Sequence, residues 1–294
     1  MHGGFPMKTR RVPAALSVVC LSLVLCRPAA SGSAGCIESP PAVHYIMTSD
    51  GDSIYVRGAI SCTRDVVQKY GLKGFGNGAI DYFTHVRDGA LDWNRDDQPV
   101  REEGYSTDLI ASESVRLIDQ HDFSKPLFLY VPFNAPHSPF QAPQSHLDLY
   151  EGIHDPRKRT YAAMVTFMDG AIGRIVSAID NRGVGRNTLI FFCSDNGGMN
   201  IVSDNGPLRG EKGLLYEGGI RARAFAVWPG VLEPGSIARG PLHMVDLFPS
   251  LLKLAGGGPE SANGGPLDGQ DVWATISMGR PSPREEILIN VTPF

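Results

Sequence analysis

Two short apolar runs, each followed by a polar loop, limit the possible folds of this chain more than any other feature. Residues 127–131 and 188–193 have the length and composition of buried strands. The segment 157–181 between them predicts a long helix, and Gly183 is placed to end it. Its apolar residues recur every three or four positions on one stripe: Met164, Met168, Ile172, Ile175 and Ile179. This order predicts an α/β fold with a mainly parallel sheet flanked by helices.

The loops that follow the two strands are expected to share one edge of the sheet. Ligands of open α/β sheets bind beyond the carboxyl ends of the strands. Loop 132–143 and loop 194–198 should therefore open onto one site, which brings His137 near Asp195. A shorter helix precedes the first strand, and Thr107 is expected to be its N-cap.

The first 34 residues have the layout of a secretory signal peptide. Three basic residues at positions 8–11 precede an apolar run at 12–26 and small residues at 29–35. A membrane anchor is the alternative interpretation, but the run is shorter than the ~20 apolar residues of a spanning helix and Pro13 interrupts it. Cleavage is expected between Ala30 and Gly35, which predicts a lysosomal or extracellular protein of the secretory pathway.

Export would leave an acidic protein with three cysteines. Cleavage removes four of the 27 Lys and Arg residues and none of the 31 acidic residues, which takes the formal charge from −4 to −8. An acidic chain gives no support for nucleic-acid binding. Cys36, Cys62 and Cys193 remain, and this odd number predicts that one thiol lacks an intramolecular partner. Asn290 begins a glycosylation triplet, although Pro293 behind it makes it a weaker acceptor.

Asp195 and Asn196 stand side by side at the end of the second strand, with two glycines behind them. A carboxylate and an amide oxygen are hard ligands of the kind that Ca²⁺ or Mg²⁺ binds. The alternative is an ordinary turn, since Asp-Asn-Gly-Gly favours turns without any ligand. Residues 205–221 add repeated glycines and the cation Lys212, which suit an anion. Taken by itself, the segment fits a flexible basic surface loop better. His137 could likewise be a loop histidine with no chemical role.

Taken together, these segments resemble the sulfatase family, and most closely its animal arylsulfatase B-like group. Similar segments occur in the same order at residues 77–85, 104–108, 135–139, 192–198, 208–213, 217–221 and 245–251. The resemblance covers residues 74–294 and implies an alkaline-phosphatase-like α/β fold that is incomplete at both ends. It implies three parts: the signal peptide 1–34, a divergent remnant of the first strand with a linker at 36–75, and a sulfatase core at 76–294.

The resemblance also implies a role for each site residue. Asp195 and Asn196 match two Ca²⁺ ligands, and Asp50 matches a third in a damaged first strand. Lys212 matches the lysine that contacts the sulfate, and His137 the histidine beside it. A cation with a lysine would stabilise charge on the sulfuryl oxygens, and a protonated histidine would serve the departing oxygen as general acid. The implied partner is a sulfated small molecule or a glycosaminoglycan-type substrate, with no membrane span.

The chain departs from the family at the nucleophile. Sulfatases make a formylglycine from the cysteine of a Cys-x-Pro-Ser-Arg type motif, and this sequence contains no such motif. Cys62 begins the closest string, Cys-Thr-Arg, which lacks the proline. The family's Gly-Lys-Trp-His segment is also absent. Three hypotheses remain: an arylsulfatase with little or no turnover, a secreted non-catalytic remnant that binds calcium or sulfated glycans, and a phosphate-handling relative on the same scaffold.

Overall fold

A computed structural model describes residues 80–95, 98–124, 127–257, 267–287 and 289, with the backbone of two strands at 19–25 and 42–45. Asp50, Cys36, Cys62, Asn290 and most of the predicted signal peptide lie outside the described residues. The described strands are β1 Val19–Leu25, β2 Ala42–Tyr45, β3 Val86–Arg87, β4 Ala90–Leu91, β5 Asn94–Arg95, β6 Gln98–Pro99, β7 Leu127–Pro132, β8 Thr188–Ser194 and β9 Ala224–Val227. The helices are α1 Ser106–Gln120, α2 Gln144–Leu147, α3 Pro156–Asn181, α4 Glu217–Ile220, α5 Leu247–Leu254 and α6 Trp273–Met278.

Helix α3 confirms the long helix that the apolar spacing predicts. Asp155 caps it by accepting hydrogen bonds from the backbone of Arg157 and Lys158 at 2.9 and 3.3 Å, and Pro156 suits the first helical position. The helix ends where Gly183 takes a φ of +70°, a conformation that favours glycine. Four stripe residues are buried, namely Met164, Met168, Ile175 and Ile179, and Ile172 packs against them. Within the described residues, α3 alone has the length and apolar composition to cross a membrane, and this buried stripe is the pattern of a core helix.

Helix α1 begins differently from the prediction. Its N-cap is Tyr105, so Thr107 lies inside the first turn and the prediction that Thr107 caps the helix is wrong. The reason is tertiary packing. Tyr105 stacks on Tyr82 at 5.4 Å between ring centroids and meets the edge of Phe167 at 4.8 Å, which fixes where the chain enters the helix.

The main sheet has five strands in the order β2-β7-β1-β8-β9. β2 pairs with β7 in parallel, whereas β1 is antiparallel to both β7 and β8, and β9 is antiparallel to β8. Three of the four pairings are therefore antiparallel, which differs from the mainly parallel sheet that the sequence predicts. Two of these pairings arise from β1, whose insertion separates two strands that run in the same direction, and the third is that of the edge strand β9. The carboxyl ends of β7 and β8 still meet at one edge.

The core lies mostly between this sheet and the helices α1 and α3. Strand β7 contributes Leu127, Leu129 and Val131 to it, and all three are fully buried. A smaller cluster covers the other face, where Phe191 and Cys193 of β8 pack against Leu247 and Ile276 of the C-terminal helices. The Cys193 thiol is buried and lies 3.3 Å from the sulfur of Met244.

Two further buried contacts hold the ends of the described chain. Near its start, the ring of His85 stacks on Trp93 at 4.5 Å between centroids. Near its end, Asp246 is fully buried and accepts hydrogen bonds from the Arg284 guanidinium and from the backbone of His243 and Gln270. The Asp246–Arg284 pair ties the last described segment to the start of α5.

Candidate functional site

The predicted site residues lie on two loops at one edge of the sheet. His137 lies in the loop that follows β7, and Asp195, Asn196 and Lys212 follow β8. Because β7 and β8 run in the same direction, both loops leave the sheet at the same edge. This is where α/β sheets place ligands.

The turn after β8 is held by hydrogen bonds to its backbone groups. The Ser194 hydroxyl donates to the carbonyl of Asn196 at 2.8 Å, and the amide of Gly197 donates to the carbonyl of Gly219 at 2.9 Å. The amide of Gly198 donates to the side chain of Asn205 at 2.8 Å. The Asp195 side chain is exposed and Asn196 is half-buried, so a carboxylate and an amide are presented beside each other on a fixed turn.

Glycines allow three chain segments to meet backbone to backbone beneath this turn. A Cβ on Gly197 would lie 1.7 Å from the carbonyl oxygen of Gly218, and one on Gly218 would lie 2.2 Å from that of Gly210. A Cβ on Gly219 would lie 2.1 Å from the carbonyl oxygen of Leu214. No other residue type fits such contacts. We call the meeting of these segments the glycine junction: residues 196–198, 209–214 and 217–220.

Lys212 lies on the middle segment of the glycine junction. Its amide donates to the carbonyl of Gly198 at 3.2 Å, which joins it directly to the turn that carries Asp195. The preceding Glu211 is also fixed, because its carboxylate accepts from the amide of Asn200 at 2.6 Å. The side chain of Lys212 is half-buried. The segment is therefore held in place and is not the flexible loop that the sequence left open.

The charges of Lys212 and His137 both act on the Asp195 carboxylate. The Asp195 residue is accessible to solvent, but the protein atoms around its carboxylate partly desolvate it. This desolvation raises the pKa of Asp195. Lys212 opposes the rise most, and His137 opposes it as well. Both groups therefore lie within electrostatic range of Asp195, and their convergence on one ligand stays a prediction.

The loop with His137 is held by buried polar contacts. The Nδ1 atom of His137 lies 2.7 Å from the carbonyl oxygen of Ser138, which assigns the proton to Nδ1 in the neutral ring and leaves Nε2 for chemistry. Beneath the loop, the fully buried hydroxyl of Tyr82 lies 2.8 Å from the Asn134 carbonyl oxygen and 2.9 Å from that of His137. Asn134 in turn bonds to the buried Ser106.

The oxygen donors on the turn fit a hard divalent cation. Asp195 and Asn196 offer a carboxylate and an amide oxygen, the ligand types that Ca²⁺ binds. Within the described part of the chain, no group of three or more His, Cys, Asp or Glu side chains is placed to hold a metal ion. The third predicted ligand, Asp50, lies outside the described residues, so two of the three predicted ligands can be placed.

Sequence reasoning assigned no role to two residues that organise this site, Tyr82 and Asn205. Tyr82 lies in a segment that contributes to the family resemblance and Asn205 lies in the glycine-rich segment 205–221, but neither belongs to a periodic pattern or carries a charge. The available signal was weak: an aromatic hydroxyl and a loop amide are common surface groups. Only the folded contacts show that Tyr82 supports the His137 loop and that Asn205 bonds to the Asp195 turn.

The sulfatase family model matches residues 63–257, about two thirds of the chain. The chain belongs to the sulfatase family. This sulfatase is 40% identical to arylsulfatase J of Mus musculus over 191 residues, which are 65% of the chain and 32% of that relative. It is 33% identical to N-acetylgalactosamine-6-sulfatase of the same species over 180 residues, 59% of the chain and 33% of that relative. This sulfatase therefore spans about a third of the length of the curated relatives it matches.

Solved structures confirm the predicted alkaline-phosphatase-like α/β fold of this sulfatase. The crystal structure of Ps i-CgsB superposes with a TM-score of 0.66 at 27% identity, over 81% of this chain and 55% of that chain. The same protein in complex with k-i-k-neocarrahexaose superposes with a TM-score of 0.65 at 26% identity, again over 81% of this chain and 55% of that chain. The PsFucS1 sulfatase from Pseudoalteromonas sp. superposes with a TM-score of 0.61 at 23% identity, over 81% of this chain and 52% of that chain. This likeness supports the fold alone.

Proposed function

We propose that this site binds the sulfate group of a sulfate ester beside a Ca²⁺ ion. The observation that carries the proposal is that the segment of Lys212 is hydrogen-bonded to the turn that carries Asp195, at the sheet edge onto which the His137 loop also opens. The oxygen ligands of Asp195 and Asn196 suit a divalent metal, and the nearby cationic side chains suit a divalent anion beside it. The chemistry that fits this arrangement is that of a sulfuric ester hydrolase.

Each side chain has a distinct task in this proposal. Asp195 and Asn196 bind the metal together with Asp50, and bound Ca²⁺ supplies positive charge to the sulfuryl oxygens. The Lys212 ammonium donates hydrogen bonds to the same group. In its imidazolium form His137 carries a second proton at Nε2, since its Nδ1 proton is bonded to Ser138, and it delivers that second proton to the departing oxygen.

The proposal includes a second part: this chain hydrolyses sulfate esters poorly or not at all. Its sequence contains no Cys-x-Pro-Ser-Arg motif from which a formylglycine could be made. Removing the nucleophile from a cooperative catalytic set can abolish as much rate as removing the whole set. What remains at Lys212 and Asp195 is a binding site.

A secreted, non-catalytic binding protein is therefore the second candidate function. It would bind calcium and sulfated small molecules or glycosaminoglycan-type glycans in a lysosomal or extracellular compartment. One observation supports a glycan as the ligand: the related Ps i-CgsB was crystallised in complex with k-i-k-neocarrahexaose. A phosphate-handling function has no such support, because the curated relatives described above are sulfatases.

The test is calorimetric titration of the full chain with Ca²⁺ and then with inorganic sulfate. Asp195→Asn should abolish Ca²⁺ binding, and Lys212→Met should weaken sulfate binding to the Ca²⁺-loaded chain about tenfold. Lys158→Met is the matched control, since Lys158 is exposed at the start of α3, and it should bind sulfate as the wild type does.

An assay with an aryl sulfate separates the two candidates. The hydrolase would be supported if the wild type cleaves the aryl sulfate and the His137→Ala variant does not. Calcium and sulfate binding without turnover would support the binding protein. Sulfate binding that is identical in the wild type and in Lys212→Met would remove the basis of both.

A further inference from the structure

Asn205 lies where the two segments of the proposed site meet. Its side-chain oxygen accepts a hydrogen bond from the amide of Gly198 at 2.8 Å, and its side-chain nitrogen donates to the carbonyl of the same residue at 2.8 Å. These two bonds resemble those between paired strands, but here a side-chain amide takes the place of one of the two backbones. The backbone amide and the backbone carbonyl of Gly198, the last residue of the turn that carries Asp195, are therefore both hydrogen-bonded.

The same amide also reaches the segment that carries Lys212. The Asn205 nitrogen lies 3.3 Å from the carbonyl oxygen of Gly210, two residues before Lys212. The carbonyl of Gly198 receives a second hydrogen bond from the amide of Lys212 at 3.2 Å. Asn205 thus links the metal-binding turn to the segment of the sulfate-binding lysine through one small set of hydrogen bonds.

We infer that Asn205 is a positioning residue, which sets the distance between the Lys212 ammonium and the Asp195–Asn196 pair. The inference rests on the proposed function. An asparagine suits this place because the contacts need an acceptor and two donors on one short side chain. The metal held by Asp195 would act on one anion together with Lys212, so a small displacement of one side chain against the other weakens binding even though each side chain is intact.

The experiment is a double-mutant cycle on the full, Ca²⁺-loaded chain, with inorganic sulfate as the probe. Asn205→Ala should weaken sulfate binding about tenfold, while Ca²⁺ affinity without sulfate changes less than about twofold. Because Asn205 acts through Lys212, the double variant Asn205→Ala, Lys212→Met should bind sulfate no more weakly than Lys212→Met alone. A purely structural role would instead lower Ca²⁺ and sulfate affinity together.

Asn200→Ala is the matched control. Asn200 lies in the same loop, and its side-chain oxygen is 3.3 Å from the Asn205 nitrogen, but no described hydrogen bond of its side chain reaches Gly198 or Gly210. Its sulfate affinity should stay within about twofold of the wild type. If Asn205→Ala fails to fold, Asn205→Asp replaces it: the aspartate still accepts from Gly198 but has no donor for the two carbonyls, and the same tenfold loss is expected.

The outcomes separate this inference from the proposed function. If Lys212→Met weakens sulfate binding and Asn205→Ala does not, the positioning role is wrong and the proposed function stands. Fully additive losses in the double variant would also overturn the positioning role, because Asn205 would then act independently of Lys212. If Lys212→Met itself has no effect, the proposed function fails, and the role of Asn205 fails with it.

Discussion

Replacing Gly197 with alanine should force the glycine junction apart. The new Cβ would lie 1.7 Å from the carbonyl oxygen of Gly218 and 3.1 Å from the Cα of Gly219. A carbon and a carbonyl oxygen approach no closer than about 3.3 Å, so the two backbones must separate by about 1.6 Å. The hydrogen bond from the Gly197 amide to the Gly219 carbonyl, 2.9 Å long, would stretch to about 4.5 Å and be lost.

The expected cost follows from these two effects. Overpacking of a fixed site costs ~1–3 kcal/mol, and the lost hydrogen bond adds ~1 kcal/mol, so Gly197→Ala should lower the free energy of unfolding by about 2–4 kcal/mol. Urea denaturation with linear extrapolation measures this difference. The control is Gly170→Ala in the exposed middle of α3, where an added Cβ meets no atom within 4 Å. That change should stabilise the chain by up to ~1 kcal/mol.

Sulfate binding gives a second measurement on the same variants. Gly197→Ala should weaken it because the displaced turn carries Asp195 away from Lys212, whereas Gly170→Ala should leave it unchanged. The reasoning would be refuted if Gly197→Ala unfolds at the same urea concentration as the wild type and binds sulfate equally well. Backbone contact would then not be what holds the turn.

Three further predictions concern other buried groups. Burial lowers the pKa of His85 from its ordinary value of 6.5, so the unfolded chain takes up the proton first. Stability should be complete above about pH 6.5 and fall below it, and urea unfolding between about pH 7.5 and 5 should show a steeper loss in the wild type than in His85→Phe. Asp246→Asn should cost ~3 kcal/mol or more, because it leaves Arg284 charged at a largely buried position; a double-mutant cycle with Arg284→Met should give a coupling well above ~0.5 kcal/mol. Tyr82→Phe removes the hydroxyl beneath the His137 loop; it should cost about 1–2 kcal/mol and shift the NMR resonances of the His137 ring, and an unchanged spectrum would contradict the supporting role.

The parts of the fold that the sequence predicted are those in which a local pattern carries the information. The stripe of α3 repeats with the helical period, and β7 and β8 are apolar runs bounded by loops, so their places followed from the residues alone. The prediction that the loops of His137 and Asp195 open at one edge of the sheet followed from one topological rule about strand ends. None of these inferences required knowledge of a distant contact.

The parts that the sequence did not predict depend on contacts between distant segments. Thr107 looked like a helix cap, but the packing of Tyr105 on Tyr82 moved the start of α1. The antiparallel insertion of β1 could not be read from an apolar run that also fits a signal peptide. Asn205 is an unremarkable loop residue in the sequence, and its bonds to Gly198 exist only in the folded chain.

If the predicted leader is cleaved on export, the sheet loses β1, because the same seven residues belong to both. Val19–Leu25 lies inside the predicted leader, and its backbone pairs with β7 on one side and β8 on the other. Neighbouring strands are ~4.8 Å apart, so proteolytic loss of the leader would open a slot of about 9.6 Å lined by two rows of amides and carbonyls. A molecule matured in that way must fill the slot with other backbone, from itself or from another polypeptide, before it can keep the same sheet.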